Sequence, residues 1–253
     1  MGLREILAQD QGGTGMRKIW VLMASAVMVL VPAGVLFGYN RYFSERANPS
    51  AEVYKVRGID VSAHNGEIDF SVLKRQGVAF AYVKATEGTD FRDRNFVKNA
   101  VGLKRAGIAA GGYHFFRFDT DGEMQAFNFI RALKGREFEL PPAVDVEEWA
   151  NAEGIGTGRI MRELRVMLDV LGHEGYEPVI YTNKDGYDRF VKEKLENYPL
   201  WICSFSDPPL DKGVGWDIWQ YSHRGRLDGI EGYVDMNTLN PSAVESLVAV
   251  ELQ

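Results

Sequence analysis

The sequence predicts an α/β fold, specifically an irregular closed barrel, on three observations. From Val56 onward, short β-rich runs alternate with helical patterns five times; turn glycines punctuate the units; and after the fifth unit three further β-rich runs follow with no room for full helices between them. Repeated β-then-α order favours a parallel sheet with right-handed crossovers. Five βα units followed by three strands then suggest a TIM-like barrel that lacks its last helices. An open doubly wound sheet is the competing architecture. No GxGxxG or GxxxxGK[ST] follows the first strand, so a nucleotide site on such a sheet lacks support.

The elements run in order from an N-terminal segment of a different kind. Residues 1–18 are short and polar, with Arg17 and Lys18 at their end, and Ile19 to Tyr39 is uncharged. That length matches the ~20 apolar residues a helix needs to cross a bilayer. Pro32 and Gly34 within an all-round apolar run suit a membrane span better than a globular helix. No A-x-A-like cleavage site follows, so residues 19–39 are read as a retained signal anchor. Arg41 and Arg46 flank the far side as well as Arg17 and Lys18 the near one, so the placement of 1–18 in the cytoplasm leans on the function read below. Residues 40–55 read as a polar linker, 56–245 as the barrel and 246–253 as a tail.

Within the barrel, the expected strands are "VRGIDVS" (56–62), "FAYVKAT" (80–86), "IAAGGYHFF" (108–116), "PAVDVE" (142–147), "PVIYTN" (178–183), "LWICSF" (200–205), "DIWQYS" (217–222) and "YVDMNTL" (233–239). The expected helices are Phe70 to Gln76, Asn95 to Ala106, Gly122 to Leu133, Arg159 to His173 and Asp185 to Leu195. The fourth is the clearest, because Ile160, Leu164, Met167, Leu168 and Leu171 recur on one face, with Gly172 and Gly175 near its stop.

Composition narrows the function. A formal charge of -6 with scattered Lys and Arg argues against a protein held to nucleic acid by phosphate neutralisation. Cys203 is the single cysteine, which excludes an intrachain disulfide and a cysteine-based zinc site. His64, His114, His173 and His223 are far apart without metal-ligand spacing, so no structural metal and no cofactor is expected.

What stands out is acid in strands. Chemistry in such barrels sits at the C-terminal ends of the strands, and Asp60, Asp145, Glu147 and Asp235 fall on the first, fourth and eighth strands. Alternation puts Asp145 and Glu147 on one face, about 6.6 Å apart along the chain, and turns Glu148 away. Crowded carboxylates tend to hold a proton between them, because ionising the second beside the first is costly. Glycoside hydrolysis uses such a pair, one acid to protonate the leaving oxygen and one anion to stabilise positive charge on the sugar. Loop capping, or pairing with Lys84 or Arg117, is the competing role for these acids.

Aromatic residues near strand ends extend the reading to sugar binding, since flat rings stack on pyranose faces. The candidates are Tyr113, Phe115, Tyr181, Trp201, Trp219 and Tyr221, with ordinary barrel packing as the alternative, above all for Phe115 and Trp201. His114 alternates away from Tyr113, which favours a core or supporting hydrogen-bond role, and Gln220 is equally ambiguous.

The segments "GIDVSAHNG", "FAYVKATEG", "GGYHFF", "AVDVE", "VIYTN", "LWICSF", "WQYS" and "VDMN", in this order through Arg57 to Asn240, resemble glycoside hydrolase family 25, the Chalaropsis-type lysozymes. The resemblance implies cleavage of the β-1,4 bond between N-acetylmuramic acid and N-acetylglucosamine in peptidoglycan. It also implies a barrel of five βα units and three strands. By position it implies Glu147 as general acid, Asp145 as its neighbour stabilising charge, Asp60 and Asp235 as flanking acids, and net retention in which the substrate's own acetamido group attacks. Two departures bear on the groove: "SAHNG" runs into the first helix with little room for a long loop, and "LWICSFSDPPLDKGVG" carries a proline-rich turn. No wall-binding repeat is visible, so residence at the wall of a bacterium is expected to come from the membrane anchor, with the barrel on the periplasmic or wall side of the cytoplasmic membrane. Two alternatives stay open: a catalytically silent glycan-binding domain tethering membrane to wall, and a hydrolase of chitin-like polymers.

Overall fold

The computed structural model describes residues 47, 49–207, 209–211 and 213–247. The expected anchor at 19–39, the segment 1–18 and residues 248–253 of the tail lie outside them. Among the described residues no helix is long and apolar enough to cross a membrane.

The elements in chain order are β1 (Arg57–Val61), α1 (Phe70–Arg75), β2 (Val78–Glu87), β3 (Phe91–Arg92), α2 (Phe96–Ala106), β4 (Ala109–Phe115), α3 (Gly122–Leu133), β5 (Ala143–Asp145), α4 (Thr157–His173), β6 (Val179–Asn183), α5 (Lys184–Gly186), β7 (Leu200–Cys203), β8 (Ile218–Gly225), β9 (Val234–Leu239) and α6 (Val244–Leu247). Eight strands close a barrel in the order β1-β2-β4-β5-β6-β7-β8-β9, with β9 returning to β1. Neighbours are parallel from β1 through β8; β9 alone runs antiparallel to both its neighbours.

Period-two alternation divides the strand residues between two cores. Facing inward are Phe80, Tyr82, Ala109, Ala143, Val179, Tyr181, Trp201, Ile218 and Leu239, which pack with one another. The rings of Tyr82 on β2 and Trp201 on β7 stack with centroids 4.7 Å apart although their strands are not neighbours, so they meet across the lumen. Two glycines make the room. A Cβ on Gly58 would lie 2.3 Å from the Phe80 ring, and one on Gly111 would lie 2.5 Å from Tyr82 Cε1. Facing outward, Ile59, Val83, Val144, Ile180 and Ile202 pack against the helices, including the stripe of Ile160, Leu164, Met167, Leu168 and Leu171 on α4. Burial of each such side chain stabilises by about 1.5–3 kcal/mol. Side-chain caps start the helices where the chain leaves the barrel: Asp69 Oδ1 accepts from the amides of Ser71 (3.0 Å) and Val72 (3.2 Å), and Asp121 Oδ1 from that of Met124 (2.9 Å).

Four features differ from the sequence reading. The expected helix Asp185 to Leu195 is a single α turn, α5, followed by a wide π turn over Tyr187–Val191. Gly186 packs so closely on Thr182 that a Cβ would lie 1.9 Å from its Oγ1, which holds the turn against β6. The expected strand 142–147 narrows to Ala143–Asp145, with Val146 still donating its amide to the Tyr181 carbonyl (2.9 Å). A two-residue strand, β3, adds a hairpin to the end of β2 after the left-handed Gly88 (φ 53°). The last strand is reversed, so Asp235 lies near its N-terminal end rather than its C-terminal end. Reversal brings that N-terminal end to the same mouth as the C-terminal ends of the others, and Asp235 sits directly opposite Asp60.

Candidate active site

The inward positions change character toward one mouth of the barrel. Beyond the apolar layers they carry Asp60, Tyr113, Asp145, Tyr181, Gln220, Asp235 and Asn237, each placed there by strand register and alternation. Asp60 Oδ2 accepts from Asn237 Nδ2 (2.7 Å) and Gln220 Nε2 (2.9 Å). These amides are oriented in turn by two aromatic donors: Trp201 Nε1 donates to Asn237 Oδ1 (2.8 Å), and the Tyr181 hydroxyl donates to Gln220 Oε1 (2.9 Å). Five strands thus hold one carboxylate in place.

Burial is the first cause of the upward shift in all four acids. It raises Asp60, against the lowering hydrogen bonds of Asn237, Gln220 and Asp235. Asp235 is pushed up to about 8 by burial, then by the charges of Asp60 and Glu147, so at neutral pH it carries the proton in its hydrogen bond with Asp60. Asp145 is raised well above its ordinary value by burial and then by the Glu147 charge, while Lys84 opposes the rise. Glu147, the least enclosed of this pair, is pushed up to about 7 by burial and the Asp60 charge, again opposed by Lys84. Each acid feels at least one of the others, so the four titrate as one cluster.

These acids are not consumed by ion pairs. Among the described residues, Lys84 Nζ pairs with Glu87 (2.7 Å), as does Arg117 Nη1 (3.4 Å), and Glu148 is exposed and pairs with Arg189. Asp145 Oδ1 is buried and has no hydrogen-bond partner. A carboxylate oxygen left in that state costs about 1–3 kcal/mol, and a substrate donor would recover it.

The aromatic candidates separate by alternation. Tyr113 and Tyr181 face the acids, and Phe115 lies beneath Lys84, whose Nζ is 5.0 Å from the ring centroid. Trp201 is enclosed in the lumen. Trp219 is fully buried on the outer side, donating Nε1 to the Ser204 carbonyl (2.7 Å) and packing against Tyr54, Trp216 and Tyr221. Its ring supports the wall instead of offering a face to a sugar, and Tyr221 lies on the same outer side. The residue between them, Gln220, takes the inward place. His114 likewise faces outward, fully buried between Thr86 Oγ1 (2.8 Å) and Gln125 Oε1 (3.1 Å), with its pKa lowered to about 4 by burial. Asn237 was not singled out in the sequence, and Lys84 was named there only as a competing ion-pair partner of the acids. The signal was available for Asn237, which lies two residues beyond Asp235 on one strand face.

A cavity of about 610 Å³ opens at the other end of the barrel, lined by Leu133, Phe138, Pro141, Pro142, Tyr176 and Leu247 among others. Its size does not make it the reactive site, because the carboxylates converge at the opposite mouth. Among the described residues no group of three or more His, Cys, Asp or Glu is arranged to hold a metal ion.

The profile of Glycosyl hydrolases family 25 matches residues 59–230. Lysozyme M1 of Streptomyces globisporus is 34% identical over 220 residues, covering 80% of this chain and 74% of that protein. The autolytic lysozyme of Clostridium acetobutylicum is 31% identical over 185 residues, 72% of this chain and 55% of the relative. Among solved structures, a family 25 glycosyl hydrolase from Bacillus anthracis superposes with a TM-score of 0.73 at 34% identity, covering 80% of this chain and 97% of that one.

Proposed function

The chain belongs to glycosyl hydrolase family 25, and from that premise we propose that it is a muramidase cleaving the β-1,4 bond between N-acetylmuramic acid and N-acetylglucosamine in peptidoglycan. The observation that carries this reading is the gathering of Asp60, Asp145, Glu147 and Asp235 at one barrel mouth, with Glu147 pushed up to about 7 and partly open to solvent. A carboxyl group titrating there is protonated often enough at neutral pH to act as general acid and ionised often enough to act as general base. Names of relatives such as Lysozyme M1 support the choice of polymer.

In this reading Glu147 protonates the glycosidic oxygen as the bond breaks. The acetamido oxygen of the sugar attacks the anomeric carbon from the opposite face, and Asp145 accepts the acetamido N–H on its partnerless Oδ1. That hydrogen bond favours the anion of Asp145 and leaves the shared proton on Glu147. Water, deprotonated by Glu147, then opens the intermediate with net retention. Asp60 is held as a fixed negative charge by Gln220 and Asn237, with Asp235 as its proton-bearing partner. Tyr113 and Tyr181 line the entry to the acids. Residues 19–39 serve as the signal anchor that keeps the barrel on the wall side of a bacterial cytoplasmic membrane, supported by their uncharged, membrane-spanning length.

Mass analysis of digests made by the purified full-length protein tests the bond assignment. Muropeptides with N-acetylmuramic acid at the reducing end are expected, and products ending in N-acetylglucosamine would overturn it. A reporter fused after Gln253 is expected to be active only outside the cytoplasm; a cytoplasmic signal would overturn the topology.

A further inference from the structure

Trp149 is 75% exposed, more than the other large hydrophobic side chains described. It follows Glu147 by two residues, so the two Cα atoms are at most about 7 Å apart. An exposed indole is commonly incidental, but the segment beneath this one is fastened on every side. Asn151 Nδ2 donates to the carbonyls of Glu147 and Phe116 (both 2.9 Å), and Asn151 Oδ1 accepts the amide of Phe118 (2.9 Å). Arg117 Nη1, already paired with Glu87, donates to the Ala150 carbonyl (2.5 Å), and Glu148 is tied to Arg189. Ala150 takes the left-handed backbone region (φ 58°), which non-glycine residues seldom occupy. The chain therefore adopts a strained turn, braced by two arginines and an asparagine, whose outcome is to keep a tryptophan out in water at the rim of the acid cluster.

We propose that Trp149 is a substrate-binding platform on which a glycan residue outside the cleaved bond stacks, a subsite that grips the polymer beside Glu147. The chemistry fits: an indole presents a broad apolar face to the C–H side of a pyranose, and a turn already braced loses little backbone freedom on binding. The braced turn also links the platform to Glu147, whose carbonyl is bonded by the same Asn151. A sugar stacked on the ring is thereby registered against the proton donor.

The inference rests on the muramidase reading, and two measurements separate them. First, the full-length protein is compared with Trp149→Ala and Trp149→Phe on polymeric glycan strands. A KM raised about three- to tenfold in Trp149→Ala with kcat little changed, and largely restored in Trp149→Phe, is expected from the worth of one aromatic contact. Second, soluble glycan strands are titrated into Glu147→Gln and its fluorescence followed. A blue shift that vanishes in Glu147→Gln/Trp149→Phe reports the ring of Trp149 going under sugar, since Trp201 and Trp219 are already buried and any response of Trp20 or Trp216 would persist in the double variant. Unchanged KM in Trp149→Ala together with a retained shift overturns the platform while leaving the enzyme assignment intact. A Trp149-dependent shift in a protein that cleaves no glycan overturns the enzyme assignment and keeps the platform. Because the ring is exposed, the variants are expected to melt within about 1 °C of the parent.

Discussion

Replacing Glu147 by Gln should cripple the enzyme and yet make it more stable, and the two effects have one cause. Glu147 is raised from an ordinary 4.5 to about 7 because burial and the Asp60 charge disfavour its anion. The sign follows from proton counts. Between pH 4.5 and 7 the unfolded chain releases this proton while the folded chain keeps it, so the folded state binds more protons and stability falls as pH rises. Below 4.5 both states are protonated and the cost disappears. A rise of that size acting alone corresponds to about 3 kcal/mol, and since Asp60, Asp145 and Asp235 share protons with Glu147, about 1–2 kcal/mol is a fitting expectation. Gln keeps the shape and removes the charge. At pH 8 Glu147→Gln should therefore melt about 2–8 °C above the parent, with the gain vanishing at pH 4. Its kcat should fall by at least about a hundredfold, from loss of the proton donor. Thermal melts at the two pH values, with product release in parallel, make the measurement. An equal melting difference at pH 4 and 8 would refute the electrostatic cause, and an active Glu147→Gln would refute the role.

Three further outcomes follow from other contacts. Asn237→Ala removes a donor to Asp60 and the acceptor of Trp201 Nε1; it should raise Asp60 further, move the pH profile of kcat/KM upward, and cost about 1–3 kcal/mol by denaturant unfolding. Gly111→Ala places a Cβ 2.5 Å from the Tyr82 ring, and a loss of about 1–3 kcal/mol in the same assay is expected from overpacking. His114, lowered to about 4, binds fewer protons folded than unfolded, so its contribution is present above pH 6.5 and is lost as pH falls toward 4. In His114→Ala that acid-side loss should flatten while overall stability drops, as read from melting temperature against pH.

Much of the barrel was legible because its causes are local. The α4 stripe, the turn glycines and the rhythm of five βα units followed by three strands are statements about neighbours along the chain, and strand and helix period decide them. The reversed direction of β9 was not legible, because "YVDMNTL" has the same alternation whichever way it runs. The π turn at Tyr187–Val191 was missed for a similar reason: its apolar positions suit a helix, and the close approach of Gly186 to Thr182 is a tertiary fact. Trp219 shows how a familiar residue type can mislead. Alternation with Gln220 allows either to face the lumen, and only the register with Asn237 and Asp60 turns the amide inward and the indole outward.

By itself the sequence determined the composition of the site: Asp145 and Glu147 one strand period apart, Asp60 and Asp235 on the first and last strands, and Glu148 on the other face. Spacing along an extended chain is enough for that. Only the tertiary structure decided their protonation and their partners. Closure of the barrel puts Asp235 opposite Asp60, burial pushes all four carboxyls upward, and Lys84, ion-paired to Glu87, offsets that rise only in part. Charge–charge energies depend on distance through a low-dielectric interior, and such distances exist only after strands far apart in sequence have met.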